Sequence, residues 1–227
     1  MQLIDTHSHI FLPEFDSDRD QVIANAKEIG VEKILLPNVD DSTTNQLISL
    51  VAKYPGYCLP MMGLHPTSVK ENFKEELKKV VDRLNNQRFY AIGEIGIDLY
   101  WDKSFRKEQE EAFRYQIDLA KEDKLPIVIH ARDSFNEIFE IMHEVADEKL
   151  NGVFHAFTGD KKQADQIVKW GFKIGIGGIV TFKNSGVDKV VDNIDIKHIV
   201  LETDSPYLQP VPKRGKRIES AYILYIA

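Results

Sequence analysis

Short, almost uninterrupted apolar runs, separated by longer amphipathic ones, constrain the fold of this chain more than any other feature. Lys33-Ile34-Leu35-Leu36 and Ile127-Val128-Ile129 show no alternation of apolar and polar residues. A strand covered on one face alternates; a strand covered on both faces, as in a parallel sheet, does not. Candidate strands fall at residues 2–9, 33–37, 57–62, 89–93, 126–130, 152–155, 173–177 and 197–202. Between them, residues 18–29, 43–53, 71–86, 107–123, 134–145, 161–170 and 187–192 carry helical spacing. In the fourth of these, Phe113, Ile117 and Ala120 share one face, with Glu110, Arg114 and Lys121 off it. Eight strands alternating with seven helices predict an α/β fold, a (β/α)8 barrel forming one domain over residues 1–227, with the doubly wound open sheet as runner-up. Residues 219–227 leave room for only a short, incomplete C-terminal helix, so closure there is expected to be thin or covered by a second chain.

Composition narrows the class. Hydrophobic residues at 43% and charged residues at 29% fit a soluble globular protein and argue against disorder. The single cysteine, Cys58, rules out an internal disulfide framework and suits a reducing compartment. It sits in the apolar run 57–62 and reads as a buried, inert thiol. No apolar run approaches the roughly 20 residues that span a membrane. The first five residues lack a basic region before an apolar one, so no signal peptide is expected and a cytoplasmic location is. A net charge of −7 argues against gripping nucleic acid by bulk electrostatics. It leaves room for an enzyme that meets phosphate through bound metal ions. No obligate protein partner is evident.

In a parallel barrel the C-terminal strand ends share one rim, where active sites sit. Here those ends carry His7 and His9, His65, Glu94, His130, His155 and Asp204, so five of the seven histidines sort to one rim. In extended backbone, residues two apart such as His7 and His9 project to the same side. Imidazole is a common neutral metal ligand, and with carboxylates it suits Zn, Mn or Mg. His7, His9, Glu94, His130, His155 and Asp204 are too many for one ion that keeps an open position, but they suffice for two ions sharing a carboxylate. Glu94, with Gly93 and Gly96 beside it, is the expected bridge, and Asp204 the expected ligand and general base. Singly, each has a bland alternative, Asp204 as the cap of the turn at Ser205-Pro206 for example; together, on one rim, they point to metal-assisted hydrolysis. His65, before Pro66, is a candidate substrate contact, and Arg132 a candidate anchor for an anionic substrate. Tyr100 and Trp101 are either base-stacking or core residues. The basic cluster Lys213, Arg214, Lys216 and Arg217 is either a nucleic-acid track or a solvated loop. His143 and His198 are expected to be structural.

The ordered motifs DTHSH at 5–9, GLHP at 63–66, GEIGID at 93–98, IHAR at 129–132, HAFTG at 155–159 and LETDSP at 201–206 resemble the TatD family of metal-dependent deoxyribonucleases, within the amidohydrolase superfamily. The resemblance covers nearly the whole chain. It implies a TIM-like barrel and two divalent metal ions. His7, His9, Glu94 and Asp204 match one metal position; Glu94, His130 and His155 match the second, with Asp204 as catalytic acid/base. The implied activity is hydrolysis of DNA phosphodiesters at single-stranded or frayed ends, as a 3′-5′ exonuclease, often with Mg. The alternative is an amidohydrolase acting on a small ester, lactone or amide, because the same ligands polarise a carbonyl. A non-catalytic binding protein is a third reading, against which the complete ligand set speaks. The chain departs from the family after Lys-Arg-Gly-Lys-Arg, where Asn-Glu-Pro is usual and Ile218-Glu219-Ser220 stands. That change leaves the rim untouched and bears on barrel closure.

Overall fold

Parallel pairing carries the chain around a closed ring. The computed structural model describes residues 2–215 and 217–227. Its strands are β1 (Leu3–Asp5), β2 (Val31–Pro37), β3 (Cys58–Met61), β4 (Ile92–Asp98), β5 (Ile127–Arg132), β6 (Gly152–Phe154), β7 (Lys173–Ile176) and β8 (Ile199–Leu201). The helices between them are α1 (Arg19–Glu28), α2 (Asp41–Lys53), α3 (Phe73–Asn86), α4 (Arg106–Asp123), α5 (Phe135–Val145), α6 (Lys161–Lys169) and the short α7 (Val187–Val191). The strands form two arcs, β1-β2-β3 and β4 through β8, parallel throughout. Isolated parallel bridges join the arcs, Met62 with Ile92 at one junction and Ser8 with Ser205 at the other. Gly93 N donates to Met62 O at 2.9 Å, and Thr6 N donates to Leu201 O at 3.1 Å. The ring is therefore a (β/α)8 barrel, and the open doubly wound sheet is excluded.

Burial explains why these segments form these elements. Every residue of β4 is buried, as expected of a strand with helices outside and side chains inside. Met61, Ala91 and Val128 pack together as a small cluster apart from the main one. Around it, Ile92, Ile95, Ile97, Ile127 and Ile129 meet Phe113, Ile117 and Ala120 of α4. Complete burial of Phe113 and Ile117 contributes roughly 1.5–3 kcal/mol each. The same stripe of α4 carries two buried glutamines, which bond to strand-end backbone. Gln109 accepts from Asp98 N at 2.8 Å and donates to Asp98 O at 3.2 Å. Gln116 accepts from Leu64 N at 2.7 Å and donates to Leu64 O at 3.3 Å. Helix α4 thus fixes the rim ends of the chain after β3 and β4.

Several strand limits differ from the sequence expectation. β1 stops at Asp5 rather than residue 9, because Ser8 N bonds to Leu35 O while His9 N bonds to Ser205 O, on opposite sides. β4 runs to Asp98 rather than ending at residue 93, because its register against β5 shifts between Ile92 and Ile95 and then resumes through Asp98 and Arg132. β8 begins at Ile199, with His198 closing a 3-10 turn, Ile196–His198, before it.

The seam between β8 and β1 is filled, not thin. Ser220–Tyr225 forms a 3-10 helix where a short α-helix was expected. Its Ile223 is fully buried among Leu3, Ile10, Phe15, Val22 and Ile23. Ile218 and Ser220 of the departing stretch are also fully buried. Arg217 ties this segment to the start of α1, bonding Asp18 at 2.8 and 2.6 Å and Glu14 O at 2.6 Å. Among the described residues, no helix is long and apolar enough to cross a membrane.

Candidate metal centre

Glu94 stands at the centre of the rim, 2% exposed, and its two oxygens face different histidines. Oε2 lies 3.1 Å from His7 Nε2 and 3.5 Å from His9 Nε2. Oε1 lies 2.7 Å from His130 Nδ1, 2.8 Å from His155 Nε2 and 3.3 Å from His65 Nε2. Asp204 Oδ1 closes the first side, 3.6 Å from His7 Nε2 and 3.5 Å from His9 Nε2. His7 and His9 bring their Nε2 atoms within 3.2 Å of each other, and the His7 ring stacks on His155 at 3.9 Å. A cavity of about 660 Å³ opens over the cluster, lined by His9, His65, Glu94, Arg132, His155 and Asp204 among others.

Buried partners hold these groups in place. Asp5 lies behind His7 and reaches across the seam. Its carboxylate accepts from Thr203 N at 3.0 Å and Thr203 Oγ1 at 2.6 Å, while Asp204 N donates to His7 O at 2.8 Å. The first-strand and last-strand ligand candidates are therefore clasped together. Asp204 itself holds φ +54°, a left-handed conformation that aspartate tolerates better than most residues. Asp98 accepts from His130 Nε2 at 2.8 Å, leaving Nδ1 to face Glu94. Glu202 accepts from Ala156 N and lies 3.4 Å from His155 Nδ1. A carboxylate hydrogen-bonded behind a candidate ligand histidine, as Asp98 is behind His130, fixes ring orientation and raises basicity. Two glycines make the approach possible. A Cβ on Gly93 would stand 2.7 Å from Val128 Cβ, and one on Gly175 would run into the Glu202 carboxylate.

Charge in the cluster is finely opposed. Burial pushes every imidazole towards neutrality, and the carboxylates resist it. For His9, the hydrogen bonds and charges of Asp204 and Glu94 outweigh burial and raise the pKa to about 9. His155 rises well above the ordinary histidine value, against burial, through Glu94 and Glu202. His7 and His65 go the other way, lowered first by burial. Glu94 is held well below the usual carboxylate range, because the charges of His155, His65 and His7 overcome burial. Asp204 is lowered similarly, by its hydrogen bond with His9 and the charges of His155 and His7. Both carboxylates are ionised at neutral pH.

The donor set fits divalent metal. Ligand atoms about 2.0–2.1 Å from one ion and 90–109° apart are separated by roughly 2.8–3.4 Å. The His7–Glu94 and His7–His9 contacts, at 3.1 and 3.2 Å, have that spacing, and the His9–Glu94 contact, at 3.5 Å, lies just beyond it. Three groups have ligand atoms mutually within 4.8 Å: His7, His9 and Glu94; His7, His155 and Asp204; and His65, Glu94 and His130. Among the described residues, the buried Nδ1 atoms of His7, His9 and His155 have no hydrogen-bond partner. The 2.7 and 2.8 Å contacts to Glu94 Oε1 are hydrogen-bond lengths. A bound ion would displace a proton shared across such a contact.

All six ligand candidates meet at this point, and His65 and Arg132 line the same cavity. Trp101 is 70% and Tyr100 53% exposed, so neither is a core residue. The basic cluster does not gather here. Arg217 is committed to Asp18, Arg214 lies over the Phe182 ring at 4.4 Å, Lys213 lies over Tyr222 at 5.2 Å, and Lys216 falls outside the described residues. His143 packs on Trp170 at 5.0 Å, away from the rim. Sequence reasoning passed over Asp5, Asp98, Glu202, Gln109 and Gln116. The available signal was a carboxylate two residues before a ligand, as in Asp5-x-His7 and Glu202-x-Asp204, and two glutamines on the apolar stripe of α4.

A closed parallel barrel with histidines and carboxylates converging at its C-terminal rim defines a metal-dependent hydrolase. The chain belongs to the TatD related DNase family, whose model matches residues 4–227. The uncharacterized metal-dependent hydrolase YabD of Bacillus subtilis (strain 168) is 38% identical over 226 residues, covering 99% of this chain and 88% of that protein. The 3'-5' ssDNA/RNA exonuclease TatD of Pectobacterium parmentieri (strain WPP163) is 31% identical over 219 residues, covering 94% of this chain and 84% of that one. The crystal structure of YjjV, a TatD homolog from Escherichia coli K12, superposes with a TM-score of 0.90 at 26% identity, covering 99% of this chain and 88% of that one. The family and barrel expected from the motifs are borne out.

Proposed function

We propose that this hydrolase cleaves DNA phosphodiester bonds at single-stranded or frayed ends, working 3′ to 5′, with two divalent ions bridged by Glu94. The observation that carries the reading is the division of Glu94, one oxygen towards His7 and His9 and the other towards His130 and His155. In this reading His7, His9, Glu94 and Asp204 hold one ion, and Glu94, His130 and His155 hold the other. Bound Mg, Mn or Zn would polarise a phosphoryl oxygen and bring the pKa of a water near neutrality.

The chain's own groups do the rest. Asp204, ionised and facing the cavity, takes the proton of the attacking water and returns it to the leaving oxygen. His65, whose Nδ1 is engaged with Thr67 at 2.6 Å, presents Nε2 beside Glu94 and contacts the substrate phosphate. Arg132 supplies a fixed positive charge at the cavity wall. The preference for single strands and the polarity rest on likeness to the Pectobacterium exonuclease. Residues 1–227 act as one catalytic domain, and the lone, buried Cys58 supports a reducing, cytoplasmic setting.

The test is cleavage of 5′-labelled single-stranded DNA by chelator-stripped protein, with Mg, Mn or Zn added back. Expected is metal-restored shortening to a ladder of labelled products, lost in Asp204→Asn. Failure with every ion, from protein that turns over small esters, lactones or amides, would overturn the DNA reading in favour of a small-molecule hydrolase.

A further inference from the structure

The loop after β4 is built around the carboxylate that also holds His130. Asp98 Oδ2 accepts from His130 Nε2 at 2.8 Å, and its Oδ1 accepts from the backbone N–H of Tyr100 at 3.0 Å and of Trp101 at 3.3 Å. One side chain therefore sets both a ligand ring and the course of an aromatic loop. Tyr100 and Trp101 meet edge to face at 4.9 Å. Arg132, at the end of β5, lays its guanidinium 3.8 Å from the Tyr100 ring centre and 5.3 Å from that of Trp101. All three line the cavity that contains Glu94, His130 and Asp204.

This arrangement is unusual for residues serving the fold alone. An indole left 70% exposed forgoes the burial its apolar area would favour. Arg106, Arg114 and Arg217 each pair with a carboxylate, whereas among the described residues none pairs with Arg132. An aromatic face and an unpaired guanidinium, side by side at the cavity wall, match a base and its phosphate.

We propose that Tyr100, Trp101 and Arg132 form the subsite for the terminal nucleotide. Trp101 stacks on its nucleobase. Arg132, held over the Tyr100 ring, donates to a non-bridging oxygen of the adjoining phosphate. This rests on the phosphodiesterase reading and names the feature of the substrate that is read. Stacking is sequence-tolerant because every base has a π-face, and it requires a base free of its neighbours. The subsite therefore selects unpaired ends without selecting sequence. Asp98 is its positioning residue, linking the loop to His130.

The test compares two oligonucleotides of one sequence, one ordinary and one whose 3′-terminal positions are abasic tetrahydrofuran residues. Wild-type protein is expected to show a KM about 5- to 150-fold higher on the abasic end, the range that loss of one base–aromatic stack produces. In Trp101→Ala the KM on the ordinary end rises by a similar factor, and the ratio between the two substrates falls to near one. Tyr115→Ala, an exposed aromatic on α4 away from the cavity, keeps the wild-type ratio. A second readout uses Asp204→Asn protein loaded with ions, in which the oligonucleotide quenches the fluorescence contributed by Trp101. Equal KM values on both ends in wild type, or an unchanged ratio in Trp101→Ala, would overturn the subsite while DNA cleavage stands. Absence of cleavage of either oligonucleotide with any ion would instead remove the phosphodiesterase reading, and the subsite with it.

Discussion

Thr203→Val keeps the shape of a fully buried side chain and deletes one hydroxyl. That hydroxyl donates to Asp5 Oδ2 at 2.6 Å and touches Ser205 Oγ at 2.8 Å. Asp5 keeps the N–H of Thr203 at 3.0 Å and that of His7 at 3.4 Å, but both converge on Oδ1. Burial already pushes the Asp5 pKa up to about 7, opposed by hydrogen bonds from Ser220 and Thr203. Without the hydroxyl, the opposition weakens and Oδ2 faces a methyl group. With the Ser220 hydroxyl still beside the carboxyl group, losing this buried hydrogen bond costs about 1–3 kcal/mol. For an m value of about 2–3 kcal/mol/M in urea, the unfolding midpoint should fall by about 1 M with the slope unchanged. The clasp also sets Asp204 against His7, so metal affinity should fall at least about tenfold, as it does when groups behind metal ligands are removed. Thr203→Ser, which retains the hydroxyl, should recover most of both losses. A Thr203→Val protein within about 0.5 kcal/mol of wild type would show that the seam is held by something other than this clasp.

Metal loading should release protons. His9 carries one below its pKa of about 9, so between pH 6 and pH 8 apparent metal affinity should rise about tenfold per pH unit for each proton displaced. A fluorescent-chelator competition at several pH values would measure the slope, and a flat profile would contradict it. Gly175→Ala should disturb His155 through Glu202, because its Cβ would run into that carboxylate; overpacking of about 1–3 kcal/mol and a fall in kcat/KM are expected, and wild-type values in both would refute the contact. Burial pushes the Cys58 thiol up to about 12, so native protein at pH 8.5 should alkylate roughly a thousandfold more slowly than unfolded protein, whose thiol titrates near about 8.5. The folded thiol stays protonated, so its contribution to stability holds below about pH 8.5 and is lost as pH rises towards 12. Rapid native labelling would refute the burial.

The barrel and its ligands are legible for a shared physical reason. Strands covered on both faces must be apolar throughout, so His7, His9, His130 and His155 stand out where each run ends. Glu94 is legible as a ligand candidate but not as a strand residue, because the shift of register between Ile92 and Ile95 depends on pairing with β5, which lies some 30 residues away in sequence. Asp5, Asp98 and Glu202 are harder. A buried carboxylate and a solvated one look alike until the donor across the barrel, such as Thr203 for Asp5, is in place. Trp101 is ambiguous for the opposite reason, since most indoles are buried and this one is exposed beside the cavity. The final segment closes as a 3-10 helix through Ile223, whose burial among β1, α1 and the intervening loop no local pattern announces.

The two-ion centre bridged by Glu94 is tested most directly by measuring bound metal per chain, after chelation and equilibrium dialysis, in wild type and Glu94→Gln, with DNA cleavage measured on the same samples. The account predicts two ions per wild-type chain, one or fewer in Glu94→Gln, and cleavage that follows the doubly loaded form. Full cleavage by protein holding one ion, or two ions retained by an inactive or active Glu94→Gln, would contradict it.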